Sequence, residues 1–373
     1  MQVTRAKKAD YSELMDFMHR SFLTAKPRHS RFEKLYPDMY RPSREAMDCH
    51  RIIRQEGTIV ASLGIFPIQL RMDNVVLDVA GLGGVCTAPE FRRQGLMAQL
   101  AQGASQLLHR DGCPLSWLSS DRNRYAPFGY EKAGSTYQAL LTAPTHSTPD
   151  PAWTIQKVNP ENADIDSIME GLQLRNATGM CDPVTFRLKL KRLRNELWEA
   201  RTNNPDNPRF AFLVTLPQVG WIAEWGGDPT GVDQLLNHCL EPDSSWHMHL
   251  PSIADAYTDL FASRVNGQTY HLDNLAIFSL EGLLRRYEPY LVEHWPRKRT
   301  ITFILDEKRC SLVEGRLAPE PSKGQWLRVD RLKLSRILFG PDKPSQHLDL
   351  TEDVAWLDEV LPLPFYMPWL FRV

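Results

Sequence analysis

The run Gly81-Leu82-Gly83-Gly84-Val85-Cys86-Thr87-Ala88-Pro89-Glu90-Phe91-Arg92-Arg93-Gln94-Gly95-Leu96-Met97 decides how the chain is read. Its apolar first half reads as a strand from Asp78 to Thr87. A short loop with two arginines follows, and Gly95 opens a helix reaching Leu108. Leu96, Leu100, Ala104 and Leu107 form its apolar stripe. Asp111-Gly112 and Pro114 stop it. The first N–H groups of a helix are unpaired and carry partial positive charge, so this junction suits an anion. Gly95 lets a phosphate approach the backbone, Arg92 and Arg93 add charge, and a pyrophosphate is the natural guest. Gly81 to Gly84 lies inside the strand and not at the helix start, which speaks against a dinucleotide fingerprint.

Working outward, Asp10 and Glu13 have capping-box spacing, and Tyr11, Leu14, Met15, Met18 and Phe22 recur at helical spacing. Arg51 to Gln55 and Thr58 to Leu70 read as strands joined at Glu56-Gly57, and Leu115 to Leu118 as a short further strand. Helix alternating with strand implies an α/β or α+β layer fold. Thr142 to Pro151 has no apolar period and reads as a linker. Beyond it, Asp182-Pro183 opens a helix expected to reach Trp198. Phe210 to Leu216 and Val219 to Trp225 read as a hairpin around Pro217-Gln218. The last segment shows a helix near Ser279 to Tyr287, strands near Thr300 to Leu305 and Cys310 to Val313, and a helix from Asp330 to Phe339 closed by Gly340. Leu361 to Phe371 is so apolar and aromatic that it should dock rather than fray.

The chain has 373 residues, long enough for two or three domains. Its 44 basic and 45 acidic side chains give a net charge of −1, which argues against wholesale binding of nucleic acid or anionic lipid. No uncharged apolar run reaches about 18 residues, so no membrane span is expected. No secretory signal is visible, and the six cysteines are scattered without a CxxC pair. They read as reduced thiols of a cytoplasmic protein. His247-Met248-His249 lacks a third ligand nearby and reads as structural, so no metal is expected. Pro296 to Arg299 and the basic stretch Lys189 to Arg194 read as solvated faces.

A second run, Ser119-Ser120-Asp121-Arg122-Asn123-Arg124-Tyr125-Ala126-Pro127-Phe128-Gly129-Tyr130, reads as a helical turn ending at Gly129. Here a resemblance emerges. Arg92-Arg93-Gln94-Gly95-Leu96-Met97 resembles the Arg/Gln-x-x-Gly-x-Gly/Ala cofactor motif of the GCN5-related N-acetyltransferases (GNAT), with Met97 in place of a small residue. Tyr125 to Tyr130 resembles that family's Tyr-x-x-Phe-Gly-Tyr/Phe segment. Both motifs lie in the first third of the chain. By length and domain order, the whole resembles the Eis-type (enhanced intracellular survival) acetyltransferases.

That resemblance implies two tandem GNAT-like domains and a sterol-carrier-protein-like α+β domain: residues 1–145 with the acetyl-CoA site, 146–276 without the cofactor motif, and 277–373 with the tail. It implies an acetyl-CoA-dependent N-acetyltransferase acting on a primary amine, whether an aminoglycoside-like molecule, a polyamine or a lysine side chain. Val85, Cys86 and Thr87 would lie beside pantetheine and the acetyl carbonyl, with a backbone N–H, at Val85, as oxyanion donor. Arg92, Arg93, Gln94, Gly95, Leu96, Met97 and Ala98 would cradle the pyrophosphate, and Ser120 and Asp121 would line the pantetheine arm. Tyr125 matches the family's general acid; Tyr130 reads as strand start and core. Direct transfer is expected, since no histidine is placed to activate Cys86. The terminal carboxylate of Val373 would be the general base, although the family usually ends in an aromatic residue and Arg372 beside it would weaken a base. A homo-oligomer, in similar proteins often a hexamer, is implied likewise. The rival reading is a ligand- or lipid-binding protein that uses the GNAT domains as scaffold.

Overall fold

The structure is a computed structural model, and it describes residues 2–23, 31–142, 150–240, 244–320, 324–347 and 354–373. The first thirteen described strands are β1 (Val3–Arg5), β2 (His50–Gln55), β3 (Thr58–Met72), β4 (Val75–Thr87), β5 (Leu115–Leu118), β6 (Glu131–Thr142), β7 (Trp153–Val158), β8 (Ala177–Met180), β9 (Glu196–Thr202), β10 (Phe210–Leu216), β11 (Trp221–Gly227), β12 (Ser245–Leu250) and β13 (Val265–Ile277). They form one sheet in the order β1-β2-β3-β4-β5-β13-β6-β12-β11-β10-β9-β7, with β8 pairing to β3 off that path.

Two neighbouring pairs in this sheet are parallel, β4 with β5 and β11 with β12. Both ladders are short. Val79 to Gly81 face Leu115 to Trp117, and pairing stops although β4 runs on to Thr87. The ends of β4 and β5 therefore part and leave a gap between them. The last strand of each half crosses to the other half. β6 pairs with β12 through Tyr137 to Thr142, and β13 pairs with β5 through Asn274 to Ile277. Between them β6 and β13 pair with each other.

Local chemistry explains the junctions. Glu56 and Gly57 both take positive φ, 49° and 82°, the geometry of a tight hairpin turn between β2 and β3. The helix Leu96–Arg110 buries Leu96, Leu100, Ala104 and Leu108 against the sheet, so Leu108 completes the stripe in place of Leu107. In the last segment, β14 (Thr300–Leu305), β15 (Lys308–Val313), β16 (Arg316–Ala318) and β17 (Gln325–Arg328) form a second sheet in the order β16-β15-β14-β17. The helices Leu280–His294 and Arg331–Phe339 join it to the large sheet by packing on β4 and β6. Leu363, Phe365, Tyr366, Leu370 and Phe371 of the tail are buried in the same core as Ile337 and Phe339. No helix among the described residues is long and apolar enough to cross a membrane.

Several expectations are corrected. Glu13 closes no capping box; its carboxylate accepts from the Ile59 N–H at 2.8 Å and from Arg54, while Asp10 accepts from the Lys7 N–H. The helix opened by Asp182 ends at Leu190, not Trp198. The stretch to Trp198 is helical in period, but β10 recruits it as β9, with Trp198 opposite Leu213. The helix expected to end near Tyr287 continues through Pro289 to His294. Lys189 and Arg192 are not on a solvated face; both are buried and paired with Asp38. Most of the linker read at Thr142 to Pro151 falls on residues 143–149, outside the described residues.

Candidate active site

The site begins with a flaw in a ladder. The β3–β4 register slips between Ser62–Cys86 and Gly64–Gly83, so two residues of β4, Gly84 and Val85, face one of β3. This is a β-bulge, and Gly84 accommodates it at φ 60°. A bulge leaves backbone groups outside the ladder and shifts the alternation of side chains. Val85 accordingly joins Leu82 on the cluster of Leu96, Leu100 and Tyr125, while Cys86 falls on the opposite cluster with Phe66 and Tyr40. Burial pushes the Cys86 thiol up to about 12, against a hydrogen bond with Ser62 Oγ at 3.4 Å. A thiol so held is protonated at neutral pH and is no nucleophile.

Downstream of β4, Arg92, Arg93, Gln94 and Gly95 are exposed. Arg93 and Gly95 are both left-handed, at φ 63° and 77°, which turns the backbone tightly into the helix. That helix start has no side-chain cap and no acidic residue in its first turn, so its leading N–H groups remain available to an anion. A Cβ on Gly95 would meet nothing within 4 Å, which leaves room over the loop. These features fit the diphosphate of a CoA thioester. Met97 packs its side chain on the cluster of Leu96 and Leu100 and so points inward. Ala98 lies exposed in the same first turn. Arg92 also reaches back, its Nε donating to the Thr87 carbonyl at 3.4 Å.

The second motif closes the gap from the β5 side. Asp121 caps the short helix Arg122–Tyr125 by accepting from the Asn123 N–H, and Gly129 ends the following turn at φ 90°. Asp121 is exposed, and Ser120 is tied through its carbonyl to Asn274 Nδ2 at 2.7 Å. Tyr125 is buried on the cluster that carries Val85. Its burial raises the phenol above its usual value, opposed by Arg124 and by a hydrogen bond with Ser120, so it carries its proton at neutral pH. Tyr130 is a core residue, its hydroxyl 2.7 Å from Ser116 Oγ, as the sequence suggested.

The far end of the chain reaches β4 from the opposite face. A Cβ on Gly81 would stand 2.7 Å from Val373 Cγ2, and one on Gly83 3.1 Å from the Val373 carbonyl carbon. Two in-strand glycines thus form the seat of the last residue. Phe371 likewise lies over Gly179 of β8. Phe66, Tyr40 and His50 surround this seat, with Tyr40 and Phe66 rings 5.8 Å apart and His50 5.4 Å from each. Burial lowers His50 to about 4, so the imidazole is neutral. None of these three carries a sequence motif; only the folded chain assembles them. Arg372 turns away from Val373, toward Asp273 and His271.

The second half offers an internal comparison. Its parallel pair β11–β12 is followed, as in the first half, by a helix, Pro229–Cys239. There Asp228 caps the helix itself, accepting from the Thr230 and Gly231 N–H groups, and Pro229 lacks an N–H. The positive end that a diphosphate would use is already filled by a carboxylate. Tyr257 donates to the Gly227 carbonyl at 2.5 Å at the end of β11.

Residues 2–133 match the family model of the acetyltransferase (GNAT) domain. The first third of the chain therefore carries a domain of the class that transfers acyl groups from acyl-CoA to amines. The solved structures extend the likeness in fold to the whole length. A GCN5-related N-acetyltransferase from Anabaena variabilis matches with TM-score 0.70 at 18% identity, over 97% of both chains. One from Kribbella flavida matches at 0.68 and 15%, over 96% of this chain and 95% of that one. Eis1 from Mycobacterium abscessus matches at 0.61 and 11%, over 93% and 91%. No curated protein matches the sequence.

Proposed function

We propose that this protein is an acetyl-CoA-dependent N-acetyltransferase that acts directly on a primary amine. We read it as an Eis-type chain, with a second GNAT-like half that has lost its cofactor site and a carrier-like third segment. The observation that carries the reading is the seating of Val373 on Gly81 and Gly83, next to the bulge at Gly84 and Val85. It puts a carboxylate candidate on one face of β4 and Tyr125 on the cluster of the other face, with the unladdered backbone between them.

Acetyl-CoA supplies the activated acyl thioester. Arg92, Arg93, Gln94, Gly95, Leu96, Met97 and Ala98 hold its diphosphate, and Val85, Cys86, Thr87, Ser120 and Asp121 flank the pantetheine. The Val373 carboxylate takes a proton from the incoming ammonium. The freed lone pair then forms the C–N bond as the C–S bond breaks. A β4 N–H at the bulge, at Val85, donates to the carbonyl oxygen as it gains charge. Tyr125, neutral in its buried setting, protonates the departing thiolate, which is the weaker base of the two.

The test is thiol release from acetyl-CoA with spermidine, kanamycin and Nα-acetyl-lysine amide as acceptors, in the natural chain and in one extended by a short Gly-Ser tail. We expect release with one of these amines and its loss on extension, with acetyl-CoA still bound. Full activity in the extended chain removes Val373 from the mechanism. Failure to bind acetyl-CoA removes the transferase reading and leaves a carrier.

A further inference from the structure

A chain end frays unless something ties it down. Here the penultimate residue is tied twice. The Arg372 side chain donates from Nη2 to Asp273 Oδ2 at 3.3 Å, and its Nη1 lies 3.1 Å from His271 Nε2. Its guanidinium carbon stands 5.4 Å from the Trp117 ring and 5.5 Å from that of Trp369. Asp273 is 2% exposed; burial draws its carboxyl upward, but Arg372 and His271 outweigh burial and keep it ionised. The Arg372 backbone is held from elsewhere. Arg192 Nη1 donates to the Arg372 carbonyl at 3.0 Å, and the same guanidinium donates to Asp38 at 2.6 and 2.9 Å. Lys189 joins Asp38 at 3.0 Å and lies 4.6 Å over the Phe371 ring. Two buried carboxylates from distant parts of the chain thus grip residue 372, one through its side chain and one through its carbonyl.

We propose that this double clamp sets the Val373 carboxylate at the β4 bulge, and that Arg372 and Asp273 are positioning residues for removal of the amine proton. The inference rests on the reading of Val373 as the base. Its logic is reach and charge. Fixing residue 372 leaves a single residue, about 3.5 Å of chain, between the anchor and the free carboxylate. Misplacing a reacting group by 1 Å can cost about 100-fold in rate. A guanidinium facing the carboxylate would weaken it as a base. Both neighbouring guanidiniums are instead engaged by carboxylates of their own, Arg372 by Asp273 and Arg192 by Asp38.

Carboxypeptidase digestion followed by intact-mass measurement reads the clamp without any substrate. The natural chain should release Val373 slowly, and Arg372→Met and Asp273→Asn at least tenfold faster, with Arg372→Lys between. The same proteins then enter the thiol-release assay with the amine that the natural chain turns over fastest. The Met and Asn variants should lose about 100-fold in kcat while the acetyl-CoA KM holds, and Lys should recover part of it. The double variant should be no slower than the worse single one, because the pair acts as a unit. Thermal unfolding of each variant checks the fold, and Arg372→Lys serves if Asp273→Asn fails to fold. A tail as protected in Arg372→Met as in the natural chain overturns the clamp. So does a full kcat in that variant beside an inactive Gly-Ser-extended chain, which leaves the base reading standing. An active extended chain takes down the base reading, and the inference with it.

Discussion

Tyr125 and Cys86 show how one strand sorts two reactive groups by burial alone. The thiol is held up near 12 and stays protonated. The phenol is also raised, yet a donor needs its proton, so burial suits it. Tyr125→Phe keeps the ring and removes the proton, so packing on the Leu96–Leu100 cluster survives. We expect kcat to fall about 100- to 10,000-fold with little change in acetyl-CoA affinity. A Phe variant that turns over at the natural rate would make Tyr125 a packing residue and move the acid elsewhere. Tyr130 could not take the role over: its hydroxyl is engaged by Ser116, which in turn donates to the Ala80 carbonyl at 2.6 Å.

Among the elements, the helix starts at Gly95 and Pro229 are the instructive pair. One leaves its leading N–H groups uncapped, and the other spends them on Asp228. Gly95→Glu brings a carboxylate to the uncapped start, where it imitates the second half. It should raise the acetyl-CoA KM by tenfold or more, about 1.4 kcal/mol, while Gly95→Ala, equally strained at φ 77° but uncharged, should do much less. Equal KM values for the two variants would show that strain and not charge governs the loop. This helix was legible in the sequence because its stripe, its glycine and its stop signal agree. So were β2, β3 and their turn, where Glu56-Gly57 is flanked by apolar alternation. The site was legible only where its residues are neighbours in the chain. Gly83-Gly84 inside a strand signalled the bulge, since an isolated glycine in a strand often marks one. Tyr40, His50 and Arg192 gave no signal, because their meeting with Val373 depends on contacts more than 150 residues apart. The stretch beyond Leu190 misled for a related reason: its period is helical, and only pairing with β10 makes it a strand.

At the scale of the molecule, the two halves are joined by an exchange. β5 has β13 as its outer partner, and β12 has β6, so each half borrows the strand that finishes its sheet. A fragment of residues 1–145 therefore ends with β5 unpaired on that side and β6 without a seat. It should aggregate or stay unfolded by circular dichroism and size exclusion, and co-expression with residues 146–373 should return a soluble, cooperatively unfolding complex. A monomeric 1–145 fragment that unfolds cooperatively alone would show that the exchange is dispensable. The same exchange puts the molecule on a clock while it is being made. Leu118 leaves the ribosome well before Ile277, and at about 5 to 20 residues per second the delay is on the order of 10 to 30 s. For that interval the nascent first half presents a bare strand edge, the feature that recruits foreign strands. The bench consequence is that slower synthesis at lower temperature will not help by itself. What protects the newborn chain is a chaperone that covers β5 until its own strand arrives.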